Sequence, residues 1–175
     1  MKTIFLIIFS GICLNAFSQT DKPVFRLRLD TCLHSPAIKG ESGIPGIVVY
    51  IANGIIVNVG ELDPDLIKDL EILRCPKGYI KYGHIGAGAV VDIITTQVLD
   101  SLLLTQADIQ KAAGVKGEVI FAVNCLLLKD PDMKFSKKAI LETEVITIPG
   151  IDDPAKKKTC INIWTREKSS RAKFF

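Results

Sequence analysis

Histidine is scarce in this chain of 175 residues, tryptophan occurs once, and no two cysteines stand at the C-x-x-C spacing of a metal-ligand pair. His34 and His84 each fall on an expected loop without a cysteine or carboxylate cluster nearby, so a solvated or structural histidine is the simpler reading. Serines such as Ser35 and Ser42 lack the G-x-S-x-G setting of an activated nucleophile. The string from Gly83 to Gly88, GHIGAG, precedes an expected strand instead of opening a helix, which is the wrong order for cradling a phosphate. Asp63 and Asp65 are calcium-ligand types, but their place at an expected helix start explains them through the helix dipole. No catalytic, metal or cofactor constellation is expected.

Charge of one sign is lacking too. The 22 basic and 19 acidic residues give a formal net charge of +3, and nothing in their distribution points to nucleic acid. The basic residues that do gather, Lys156 to Lys158 and then Arg166, Lys168, Arg171 and Lys173, suit a solvated loop and a basic tail. No apolar run beyond the N-terminus approaches the roughly 20 residues of a membrane-spanning helix.

The N-terminus itself has Lys2, an apolar run from Ile4 to Leu14 and the small-residue pattern Ala16-Phe17-Ser18, which predicts a secretory signal over residues 1–18. Export makes disulfides available to the four cysteines that follow. Four cysteines allow three pairings. The expectation favours Cys125 with Cys160 and Cys32 with Cys75, and buried thiols are the competing possibility.

The chain's most distinctive property is repetition. Tyr50-Ile51-Ala52-Asn53-Gly54 aligns with Phe121-Ala122-Val123-Asn124-Cys125, LIKDLEIL (66–73) with AILETEVI (139–146), and Asp92-Ile93-Ile94-Thr95 with Asn162-Ile163-Trp164-Thr165. Three blocks in one order predict a duplicated α+β unit: strand, Asn-centred turn, short helix, strand, loop, strand. The expected strands lie near 47–52, 70–75, 89–95, 118–124, 142–148 and 159–165. Asp63-Pro64 and Ser136 are expected to open the short helices. The resulting organisation is a signal (1–18), an N-terminal segment (19–46), repeat one (47–97), a connecting helix (98–117) announced by the capping box Thr105 to Asp108, repeat two (118–166) and a basic tail (167–175). Units of about fifty residues are marginal alone, so the copies are expected to pack together.

The order VVYIANG, LDPDLIKDLEILRCP, YIKYGHIGAGAVVDIITT resembles the plug domain of TonB-dependent outer-membrane receptors, with the match running from Tyr50 to Thr96. Repeat two is similar more faintly, lacking the Y-G and paired-glycine loop. The family's receptors add a barrel of about 22 strands, which at about ten residues each needs more than roughly 200 residues. This chain has no room for one. The resemblance therefore implies a free-standing, duplicated plug-like module of the bacterial envelope, periplasmic or associated with the outer membrane.

The function expected is non-catalytic binding of an envelope protein, through Tyr79, Tyr82 and His84 on an exposed loop or through a sheet edge. The alternative is a small envelope hydrolase or metal-dependent enzyme whose site is scattered in sequence.

Overall fold

The computed structural model describes residues 48–99, 103–150, 153 and 155–167. Repeat one starts with β1 (Val48–Ala52), reverses at Asn53-Gly54 and returns as β2 (Ile55–Ile56). Asn53 and Gly54 have φ of 49° and 80°, the left-handed pair that a two-residue hairpin requires. A single 3-10 turn at Pro64–Leu66 follows, with Asp63 accepting the Asp65 N–H at 3.0 Å. The expected short helix goes no further because the Leu66 carbonyl is taken by the Thr96 N–H at 3.0 Å and the Thr95 hydroxyl at 2.9 Å. β3 (Ile67–Leu73) therefore begins three residues earlier than its alternation suggests. The stretch expected as a loop is helical instead: α1 (Lys77–Tyr82) and a 3-10 turn, Gly83–Ala87, lead into β4 (Ala89–Thr95).

The connection carries β5 (Leu103–Leu104) and α2 (Gln106–Ala112). Thr105 caps α2 and exchanges hydrogen bonds with Asp108, so the box read from these residues is formed. Those bonds hold the Asp108 carboxyl below its ordinary range. Repeat two follows as β6 (Val119–Val123), β7 (Leu126–Leu128), β8 (Lys134–Ser136), a 3-10 turn at Lys137–Ala139, β9 (Glu142–Pro149) and β10 (Lys157–Trp164).

The fold is α+β with two small mixed sheets, ordered β3-β4-β1-β2-β8-β5 and β7-β6-β10-β9. Duplication extends to register. β1 runs parallel to β4 and β6 parallel to β10, with Val49 beside Val90 and Ile120 beside Cys160. β3 and β9 run antiparallel to those strands, with Leu73 opposite Val90 and Ile146 opposite Cys160. Each turn asparagine ties its hairpin to the end of the third strand: the Asn53 N–H bonds the Ile93 carbonyl at 3.0 Å, and the Asn124 N–H the Ile163 carbonyl at 2.9 Å.

The copies nevertheless bury opposite faces in the shared core. Repeat one contributes Val49, Ile51, Leu73 and Val90 to it, whereas repeat two contributes Phe121, Val123, Ile161 and Ile163. The equivalents of the first set, Ile120, Ala122, Ile146 and Cys160, form a separate cluster. The equivalents of the second, Tyr50, Ala52, Val91 and Ile93, form another. The units are thus stacked front to back.

One strand crosses between them. β8 joins the first sheet beside β2, with fully buried Phe135 level with Ile56. The corresponding stretch of repeat one, residues 61–63, makes no strand and instead follows a 3-10 turn, Val59–Glu61, capped by Asn58. The two stretches meet where the Ser136 hydroxyl donates to Glu61 Oε2 at 2.6 Å.

Candidate functional site

The residues expected to form a contact loop lie on α1 and the turn after it, and they are not displayed together. His84 is buried, while Tyr79 and Tyr82 are partly buried. The cause is a close backbone approach. A Cβ on Gly86 would stand 1.9 Å from the Gly78 carbonyl oxygen, and one on Gly78 would stand 2.6 Å from the Gly86 oxygen. Only glycines allow α1 and the turn to touch this closely, and the contact folds the segment down onto the sheet. Ile85 and Leu73 join the shared core beneath it.

Each aromatic group has an internal role there. Tyr79 and His84 meet edge to face with ring centroids 5.4 Å apart. The Tyr82 hydroxyl donates to Asp92 Oδ1 at 2.8 Å, and Lys81 Nζ bonds the other oxygen of that carboxylate. Burial, then the hydrogen bond and charge of Asp92, push the Tyr82 phenol well above its usual range. A phenol held neutral beside a carboxylate can only donate to it, which serves packing and not proton transfer at neutral pH. The exposed-loop expectation is therefore corrected: Tyr82 ties α1 to β4 through Asp92, while Tyr79 and His84 pack against each other within the segment.

The cysteines also depart from expectation. Cys125 and Cys160 are buried thiols and do not form a disulfide. The register shows why: Cys160 lies beside Ile120, whereas Cys125 lies past Val123 at the other end of β6. In that turn the Cys125 N–H is held by Asn162 Oδ1 at 2.9 Å. Burial, reinforced by Cys125 and Glu144, pushes the Cys160 thiol up to about 12, so it is no nucleophile at neutral pH. Cys75 is disulfide-bonded. Its expected partner Cys32 lies outside the described residues, as do His34, Ser35 and Ser42.

Among the described residues, no group of three or more His, Cys, Asp and Glu side chains could hold a metal ion. Asp63 acts as a cap. Among the same residues, no helix is long and apolar enough to cross a membrane.

What the structure does offer is edges. β3 and β9 each pair on one side only among the described residues. Along β9, Thr143, Val145, Thr147 and Pro149 are exposed, alternating with Glu142, Glu144 and Ile146, which are partly buried, and Ile148, which is buried. The Glu144 carboxylate is engaged by Trp164 Nε1 at 3.0 Å. The alternation of ETEVITI signals this strand in the sequence, but its place at the margin follows from pairing that sequence does not display.

Compared with protein-family models, with curated proteins and with solved structures, the chain matches none.

Proposed function

We propose that the protein is a non-catalytic, exported, plug-like binding module of the bacterial envelope, periplasmic or associated with the outer membrane. It engages an envelope protein by accepting an extended segment of that partner along β9. The observation that carries this reading is the edge itself. Along the eight residues Glu142–Pro149, alternate residues direct backbone groups to the side that is unpaired among the described residues, beside the exposed side chains of Thr143, Val145 and Thr147. Strand addition draws affinity from main-chain hydrogen bonds and specificity from alternate side chains. The plug-like character rests on the motif order from Tyr50 to Thr96, and export rests on the signal over residues 1–18.

The test is capture of envelope proteins from the native cell by the purified mature chain, followed by the same experiment with Val145→Lys/Thr147→Lys. Both side chains are exposed, so the fold should persist, while lysines at the margin discourage pairing. Capture of a defined protein should fall on the order of tenfold, the equivalent of about 1.4 kcal/mol. Undiminished capture would remove β9 from the interface. Capture that survives there but disappears with Tyr79→Ala would return it to α1.

A further inference from the structure

β3 is the one strand among the described residues in which a run of five, Lys68 to Ile72, is exposed throughout. Only β4 pairs with it among the described residues. A bulge interrupts that ladder between Ile67 and Asp69, but from Asp69 to Leu73 the register is regular, so the far side of this stretch is an uncovered edge.

Neighbouring strands fix where its backbone groups point. The Ile93 carbonyl is turned toward β1, where it accepts the Asn53 N–H at 3.0 Å. Leu70, level with Ile93, therefore turns its own N–H and carbonyl away from β4, and so does Ile72 two residues on. The Leu70 N–H is met instead by Oδ1 of Asp69 at 2.9 Å. A side-chain carboxylate thus stands where the carbonyl of a further strand would stand.

The side chains define what kind of strand fits. On one face Leu70 and Ile72 are 50% and 57% exposed, and they continue across β4 the apolar rows of Ile93 with Ala52 and of Val91 with Tyr50. On the other face Asp69 and Glu71 are exposed. Glu71 lies level with Asp92, and an acid opposite an acid is destabilising across a ladder. Asp92 is compensated by Lys81 Nζ and the Tyr82 hydroxyl. For Glu71 the compensation is Lys77 Nζ at 3.9 Å, a pair in which both side chains are more than half exposed.

We propose that the β3 edge is a strand-addition site for an extended segment of another protein that alternates apolar with basic residues. Residues level with one another on adjacent strands point to one face, so apolar side chains of the segment lie beside Leu70 and Ile72 and basic ones beside Asp69 and Glu71. A carbonyl of the segment takes the Leu70 N–H from Asp69, and the freed carboxylate turns to a basic side chain. A second copy of β3 does not meet this requirement, because antiparallel pairing centred on Leu70 sets Asp69 against Glu71, acid to acid. The site is separate from the β9 margin and does not rest on the partner reading given to it.

Titration of the purified mature chain with capped peptides as long as β3 tests the proposal. A peptide alternating valine and lysine should bind on the order of tenfold more tightly than one alternating valine and glutamate, equivalent to about 1.4 kcal/mol. Added salt should weaken it. Asp69→Lys/Glu71→Lys should reverse the preference, and the fold should persist because both side chains are exposed and neither belongs to the core. Methylating one alternate set of amides in the lysine peptide should abolish binding, and methylating the other set should not, since only one set faces β3. Val145→Lys/Thr147→Lys should leave the titration unchanged. Equal affinity for the two peptides, binding of neither, a preference that the double lysine variant does not reverse, or binding that survives methylation of either set would overturn the proposal. Loss of the lysine peptide with Val145→Lys/Thr147→Lys would also overturn it and give the segment to β9.

Discussion

The two repeats share strand order, register and hairpin geometry, yet they solve the same local problems with different residues. At the hairpin, repeat one uses glycine at the second turn position, and repeat two places Cys125 there at a φ of 70°. After the middle strand, repeat one inserts α1 and a glycine-paired turn before β4, whereas repeat two passes from β9 to β10 across residues 150–156. At the margin, repeat one carries Leu70 and Ile72 where the aligned positions of repeat two carry Thr143 and Val145. The lesson is that duplication preserves the backbone pairing, while the faces and edges diverge according to what each copy must cover. Front-to-back stacking requires this divergence, because equivalent faces never meet equivalent surroundings.

The largest expected effect lies at the α1 insertion. Gly86→Ala forces a Cβ to within 1.9 Å of a backbone oxygen that cannot yield, and it should cost more than about 4 kcal/mol, at the extreme of single substitutions. Urea denaturation measures this. A loss below about 1 kcal/mol would mean that repeat one does not depend on its close backbone contact.

The turn asparagines sharpen the comparison. Asn53 Nδ2 donates to the Thr95 carbonyl at 2.8 Å and Asn53 Oδ1 accepts the Thr95 N–H at 3.2 Å. Asn124 Nδ2 donates to the Thr165 hydroxyl at 2.7 Å and Asn124 Oδ1 accepts the Thr165 N–H at 3.0 Å. The clasps are alike, but Asn53 is exposed and Asn124 is fully buried. Water can replace only the first. Asn124→Ala should therefore cost about 3 kcal/mol and Asn53→Ala about 1 kcal/mol, read as the difference in denaturation midpoints. Equal losses would show that burial does not separate the copies.

Cys160 occupies the position of Val90, and both are fully buried. Its thiol, pushed up to about 12 from 9.0, binds its proton more tightly when folded. The folded state therefore keeps its full advantage below pH 9 and loses it as pH climbs toward 12, with a slope of at most about 1.4 kcal/mol per pH unit. The raised Tyr82 phenol acts in the same direction above its ordinary value of 10.0. Cys160→Val should leave neutral stability nearly unchanged and flatten the loss between pH 9 and 10, where Tyr82 contributes little. Parallel pH profiles for the two proteins would argue against a buried, proton-retaining thiol.

The smallest expected effect isolates the backbone. A Cβ at Gly54 would meet nothing within 4 Å, so Gly54→Ala should cost only the left-handed conformation, about 1 kcal/mol. A loss well above that would mean that the repeat-one hairpin has a neighbour besides its own strands.

Much of the fold is legible in the sequence because it is locally encoded. The turn at Asn53-Gly54 follows from residues that tolerate positive φ, the turn before β3 from Asp63 and Pro64, and α2 from Thr105 and Asp108. The α1 segment was opaque for a physical reason. Its glycines are turn-formers when read alone, and their use in a backbone contact between Gly78 and Gly86 needs both partners in place. The expected pairing of Cys125 with Cys160 fails likewise, because Cys160 lies beside Ile120 while Cys125 lies in the turn past Val123, and only register reveals this.

By itself, then, the sequence determined that the chain contains one α+β unit written twice, and where each copy turns and caps, since these are preferences of short stretches acting on their own backbone. The tertiary structure alone decided that the copies stack front to back, that β8 crosses into the first sheet and that β3 and β9 become margins. Strands such as VVYIA and VIFAV are apolar on both faces, so alternation cannot name the inward one. That choice is made by contacts between residues about seventy positions apart, whose packing only the folded chain brings together.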